Sequence, residues 1–230
     1  MITGSSQGFG RAVARAFAAE GASVVLCARD PMPLEEARTE LAGLAVAGAR
    51  VLAVPADVSN PADVRQVVDR ARGELGGLDV LVSNAAVHGP KGPIDEVPWE
   101  EWSRAIAINL LGTVLACRAV LPIFKARRHG KIVLLSGGGA TRPFPFLSAY
   151  AASKAGVARF GETLAEEVRA VGIDVNAVAP GAMTTRLLDQ VLEAGPEKVG
   201  AALYQQSVKQ KAEGGAGFER GAALCVFLAS

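Results

Sequence analysis

The sequence predicts an α/β fold, a doubly wound parallel sheet with helices on both sides, and three observations carry that expectation. Short runs rich in Val, Leu and Ile recur along the chain, each bounded by Gly, Asp or Pro. Stretches with apolar residues at helical spacing separate them. The chain has 230 residues, 50% of them hydrophobic, which suits one domain spanning 1–230 with a large core.

The elements follow in order. Only Met1 and Ile2 precede a Gly-rich turn, Thr3 to Gly10, so the first strand is short. Gly10 to Glu20 sets Val13, Ala16 and Phe17 on one helical face, and Ser23 to Ala28 is a second strand. Arg50 to Val54 is a third strand, and Pro61 to Leu75, with Val64, Val67, Val68 and Ala71, a helix. Asp79 to Ser83 is a fourth strand; the long apolar helix Trp102 to Phe124 follows, then the strand Lys131 to Ser136. Ala149 to Val171 is helical and Ile173 to Val178 is a sixth strand. These runs, rich in Val, Leu and Ile, read as buried parallel strands. Met183 to Gly217 is helix-forming but interrupted by Gly195-Pro196 and Gly214-Gly215, and it follows a strand at the edge where such sheets bind ligands. It reads as a substrate lid or, alternatively, as an ordinary surface helical hairpin.

Composition narrows the partners. With 24 basic and 23 acidic residues the formal net charge is +1, so no bulk field recruits nucleic acid or an anionic membrane. The longest apolar stretches, such as Val24 to Ala28 and Ile132 to Leu135, are strand-length, so no membrane span is expected. Cys27, Cys117 and Cys225 lie far apart in apolar surroundings, with no CxxC spacing. That pattern fits neither zinc nor disulfides, and it points to free thiols in a reducing cytoplasm.

Two local patterns carry chemistry. In Ser148-Ala-Tyr-Ala-Ala-Ser-Lys154, Tyr150 and Lys154 stand four apart and share a helix face. A phenol titrates near pH 10 and is a poor proton shuttle unless a cation stabilises its anion; Lys154 is that cation. In Thr3-Gly4-Ser5-Ser6-Gln7-Gly8-Phe9-Gly10, the glycines let backbone amides at a helix start approach a pyrophosphate.

These two patterns, with Asp57-Val58 after the third strand, Ser83-Asn84-Ala85-Ala86 after the fourth, Asn109 in the long helix and Pro180-Gly181 after the sixth, closely resemble the short-chain dehydrogenase/reductase family along essentially the whole chain. The resemblance implies a Rossmann-type fold and reversible hydride transfer between a nicotinamide and a small-molecule carbonyl/alcohol pair, with Tyr150 as proton donor or acceptor. It implies that Lys154 also holds the nicotinamide ribose and that Asn109 keeps a water beside the lysine. The cofactor site it implies comprises Gly4, Ser6, Gln7, Gly8, Phe9, Gly10, Arg29, Asp57, Val58, Asn84, Ala85, Ala86, Tyr150, Lys154, Pro180, Gly181, Met183 and Thr184. It also implies a homodimer or homotetramer paired through Trp102 to Phe124 and Ala149 to Val171.

Departures from the family pattern shape the remaining expectations. The chain looks clipped at both termini, with a short first strand and no seventh. Ser83 and Ala86 replace the first Asn and the Gly of an NNAG-like motif. The family's substrate-binding serine stands thirteen residues before the tyrosine; that count from Tyr150 gives Gly137, and Ser136 is one residue off. The run Gly137-Gly138-Gly139 can redirect Ser136 inward, so Ser136 is the expected hydroxyl, with Thr141 and Ser148 as substitutes and a serine at 137 as the variant that restores the usual spacing. At the end of the second strand Ala28 occupies the place of an NAD-selecting carboxylate and Arg29 follows, favouring NADP with NAD still possible; Gln7 and Asp30 argue the other way. Two other functions compete: a nucleotide-binding sensor or weak enzyme, and an epimerase or dehydratase using transient oxidation. The pocket segments His88 to Pro93, Ala140 to Leu147 and the lid, with Phe144, Phe146, Leu187, Leu188 and Leu192, suggest an apolar cavity but no particular substrate.

Overall fold

The structure is a computed structural model that describes residues 1–46 and 48–230. Its strands are β1 (Ile2–Thr3), β2 (Val24–Ala28), β3 (Val51–Pro55), β4 (Val80–Ser83), β5 (Gly130–Leu135) and β6 (Ile173–Val178). They form a six-stranded parallel sheet in the order β3-β2-β1-β4-β5-β6. The chain winds outward from β1 to β3, then returns to lay β4 on the other side of β1. That reversal opens a crevice at the carboxyl ends of β1 and β4, where sheets of this kind bind ligands.

The helices are α1 (Gly8–Ala19), α2 (Pro31–Leu44), α3 (Pro61–Leu75), α4 (Trp99–Ile106), α5 (Gly112–Arg127), α6 (Ser148–Val168), α7 (Arg186–Ala194), α8 (Pro196–Val199), α9 (Ala201–Ala212) and α10 (Phe218–Phe227). Local chemistry sets their starts: Asp30 caps α2 by accepting from Met32 N, Asn60 caps α3 by accepting from Ala62 N, and a proline follows each cap. Strand residues alternate between two cores. Leu26, Val82 and Val133 pack with Val13 and Phe17 of α1, Leu34 and Leu41 of α2 and Cys225 of α10. Val25, Leu81, Ile132 and Leu134 pack with Val67 of α3, Val120 and Phe124 of α5 and Val157 and Leu164 of α6. Phe124 is fully buried, and truncating such a ring to alanine typically costs about 3–5 kcal/mol.

The long apolar helix reaches beyond its expected bounds, Trp102 to Phe124. From Trp99 to Arg127 the chain forms a continuous 29-residue helical stretch, long and apolar enough to cross a membrane by length and composition. A π-helical turn, Ala107–Leu111, joins α4 to α5 within it. In the fold it is a core helix, with Ala116, Cys117, Val120 and Phe124 at 0% exposure.

The segment after β6 closes on itself. Met183 bridges to Ala216, Thr184 Oγ1 donates to Gly214 O, and Gln210 Nε2 donates to Met183 O. Both ends of the α7–α9 excursion are thereby fastened at one place beside the carboxyl end of β6. All three cysteines are buried and free, as anticipated.

Candidate active site

The sheet brings the expected residues to one edge, because each follows a strand's carboxyl end. After β1, Gly4 and Gly10 pack so tightly that a Cβ on Gly4 would lie 2.8 Å from Ala85 Cα, and one on Gly10 would lie 2.3 Å from Gly4 O. Asn84 locks this turn: its Nδ2 donates to Thr3 O and Gly4 O, while Asn84 N and Ala85 N both donate to Thr3 Oγ1. The first amides of α1 therefore stand at the β1–β4 crevice. Gln7 makes no side-chain cap there, and the first turn holds no acid. A helix start left uncapped and backed by glycines is the shape and polarity that a pyrophosphate needs. Ser6 and Phe9 are buried in the same turn, Gln7 and Gly8 exposed.

After β2, Arg29 is exposed and near Asp57, which follows β3. Asp30 caps α2, its Oδ1 accepting from Met32 N. Burial by itself would raise the Asp57 carboxyl, but hydrogen bonds from Ser59 and the Arg29 and Arg104 guanidiniums outweigh it and hold it below its ordinary value. Val58 is buried against the start of α5, where a Cβ on Gly112 would meet its Cγ2 at 2.9 Å. Pro180 and Gly181 extend the edge past β6. Pro180 lies near Phe9 and Gly221, whereas Met183 and Thr184 serve the base of the α7–α9 excursion.

Tyr150 and Lys154 lie on α6, facing the carboxyl end of β5. The Tyr150 ring is 5.0 Å from the His88 ring, edge to face, and 6.2 Å from the stacked Phe144 ring. Burial raises the Tyr150 hydroxyl above the usual phenol value, so it is a protonated donor at neutral pH. Lys154 is 4% exposed, donates to Leu135 O at 2.7 Å and stands 5.8 Å from the Tyr150 ring centroid. Burial lowers its ammonium to about 8. The anticipated lowering of the tyrosine by the lysine is therefore absent in the free protein, where desolvation governs both groups.

Asn109 sits in the π-helical turn with every side-chain polar atom engaged. Its Oδ1 accepts from Val87 N, and its Nδ2 donates to Val87 O and Ser153 Oγ. The side chain is thus a clamp between the loop after β4 and α6, and the Asn109 main-chain carbonyl accepts from Thr113 Oγ1.

Ser136 continues the sheet ladder, its N donating to Val178 O. Alternation sets it on the face of Ile132 and Leu134, the α6 side. The tyrosine hydroxyl, however, is met by Gly137, where a Cβ would lie 3.2 Å from Tyr150 Oη. Gly137 has φ 141° and ψ −179°, a region essentially reserved for glycine. A serine at 137 would have to adopt this glycine-favouring backbone with its Cβ against Tyr150 Oη. Three features escaped the sequence reading. Asp30 is a cap, Phe146 holds φ 66° at the pocket rim, and His88 packs on the tyrosine. A lone imidazole immediately after Asn84-Ala85-Ala86-Val87 was the available signal for the last.

The sheet order, the glycine turn and the tyrosine–lysine pair together define a dinucleotide-binding oxidoreductase fold. The family model described as short chain dehydrogenase matches residues 1–195. The chain is 42% identical over 186 residues to 3beta-hydroxysteroid dehydrogenase 1 of Eggerthella lenta, covering 80% of this chain and 70% of that one. It superposes on levodione reductase with TM-score 0.89 and 31% identity, covering 100% and 89%. It also superposes on L-sorbose reductase of Gluconobacter frateurii, complexed with NADPH and L-sorbose, with TM-score 0.87 and 35% identity, covering 100% and 88%. The chain belongs to the short-chain dehydrogenase/reductase family, enzymes that act on hydroxyl and keto groups.

Proposed function

We propose that this protein is an NADP-preferring oxidoreductase, able to use NAD less well, that interconverts a small carbonyl and its alcohol. The observation that carries this reading is Tyr150: a hydroxyl kept protonated by burial, with Lys154 one turn on, beside an uncapped helix start that suits a pyrophosphate. When bound, the nicotinamide supplies or accepts the hydride. Gly4, Ser6, Gln7, Gly8, Phe9 and Gly10 form the phosphate turn, Arg29 meets the 2′-phosphate, and Asp57, Val58, Ala85 and Ala86 flank the adenosine half. Pro180, Gly181, Met183 and Thr184 border the nicotinamide end. Tyr150 gives its proton to the substrate oxygen during reduction, and Lys154 stabilises the tyrosinate left behind. Asn109 acts by holding the loop after β4, and Ser136 completes the wall behind Gly137. Ala28 leaves the end of β2 without a carboxylate, Arg29 follows it, and the sorbose reductase relative is described with NADPH.

The 183–217 segment acts as a lid over one domain spanning 1–230. The protein works as a homodimer or homotetramer in the cytoplasm; exposed Leu111 and Trp99 on the long helix supply apolar area for pairing, and the free thiols suit a reducing compartment. Gly137 favours one alternative, a nucleotide-binding sensor with little turnover. Oxidation of NADPH with a carbonyl panel separates the two, and Tyr150→Phe should lower kcat about 10²- to 10⁴-fold with cofactor affinity nearly unchanged. Full activity in that variant would sink the proton-donor role.

A further inference from the structure

His88 lies where a substrate must come, and the proton-transfer mechanism makes no use of it. It is 8% exposed, its ring stands edge-on to the Tyr150 ring at 5.0 Å, and its Nδ1 is sealed with no hydrogen-bond partner. Nδ1 is the one such sealed, unpartnered side-chain atom among the described residues. Among the described residues Nε2 makes no protein hydrogen bond either, but unlike Nδ1 it is not sealed. The loop that carries the ring cannot easily swing away, because Val87 is held on both its N–H and its C=O by Asn109.

The tautomer follows from burial. A sealed, unpaired N–H is rarer and costlier than a sealed lone pair, so the proton belongs on Nε2, facing the cleft. Burial first, and then Lys91 and Lys154, lower the imidazole to about 4 and keep it neutral. The Tyr150 hydroxyl meanwhile faces Gly137, which has no side chain to offer a second donor.

We propose that His88 Nε2–H donates to the same substrate oxygen that Tyr150 protonates, supplying the second hydrogen bond that position 137 cannot. The proposal rests on the oxidoreductase reading above. Two donors converging on one carbonyl oxygen stabilise the charge that develops as hydride arrives, without a serine. It also gives the sealed Nδ1 a reason: a ring with one buried nitrogen presents one defined donor and no acceptor to the substrate.

The test uses the whole protein with NADPH and cyclohexanone, and with hydroxyketones for comparison. His88→Phe keeps the packing on Tyr150 and deletes the donor; kcat/KM should fall about 10²-fold while NADPH affinity stays put. His88→Gln, whose amide Nε2 falls near the imidazole Nε2, should recover at least a tenth of the wild-type value. A His88→Phe enzyme within about threefold of wild type overturns the proposal, and so does a loss confined to KM for hydroxyketones with cyclohexanone unaffected, which would put His88 on a different oxygen. Wild-type protein that turns over no carbonyl overturns the oxidoreductase reading itself and this proposal with it. Should His88→Phe fail to fold, the wild-type protein still decides: it has only two histidines, so ¹⁵N spectra with His129→Gln as the assignment control report the His88 tautomer. Nε2–H at neutral pH supports the proposal, and Nδ1–H overturns it.

Discussion

Acidification should expose how firmly His88 is buried. In the folded protein its imidazole titrates at about 4, against an unfolded value near 6.5. Between those values the unfolded chain binds a proton that the native protein does not, so stability rises with pH across the window. The contribution is whole above about 6.5 and lost as pH falls toward about 4. A shift of that size, at about 1.4 kcal/mol per unit, amounts to about 3 kcal/mol, and the group's 8% exposure leaves little solvent to discount it. His88→Gln has no proton to bind, so its stability should fall by about 3 kcal/mol less than wild type between pH 7 and pH 4. For a chain of this size that difference is about 6–12 °C in Tm. Urea or thermal melts of both proteins across the range measure it, with other titrating groups cancelling between them. Parallel pH profiles would refute the buried, neutral imidazole.

Other expectations follow from the same edge of the sheet. Arg29→Ala should weaken NADPH binding about tenfold with NADH barely affected, the low end for a charge-assisted contact because Arg29 is exposed; titrations at two salt concentrations test this, and equal losses for both nucleotides would refute it. Gly137→Ser should lose about 1–3 kcal/mol in urea melts, since its φ of 141° disfavours a side chain; it should also gain no kcat, because the new Cβ crowds Tyr150 Oη at 3.2 Å. Light scattering at micromolar concentration should return a dimer or tetramer; a monomer would remove the proposed role of Leu111 and Trp99.

Much of this was legible in the residues because its causes are local or periodic. Runs rich in Val, Leu and Ile foretold the parallel strands, and the observed β6 begins and ends where the sequence reading set it. Glycine spacing foretold the cradle, since close backbone approach admits no other residue at Gly4 and Gly10. What stayed hidden depended on long-range partners. Asn109 could not be seen as a clamp without knowing that Val87 passes beside it. Asp30 reads as a free acid until the start of α2 is fixed. The 99–127 helix was legible over Trp102 to Phe124, but its burial against the sheet was not. At Gly137 a residue count could not reveal the backbone, whose φ of 141° favours glycine.

The Asn109 clamp also bears on how such a pocket can change over generations. It grips Val87 by backbone atoms alone, so the path of the chain into residue 88 is set by a residue on another element and not by the side chain at 88 itself. Variation at Lys91, just beyond it, can therefore explore new substrates while the loop keeps its course. A library randomised at Lys91 should yield mostly folded proteins with altered preference, whereas one randomised at Asn109 should lose loop and pocket together. The scaffold separates the part that holds its shape from the part free to diversify.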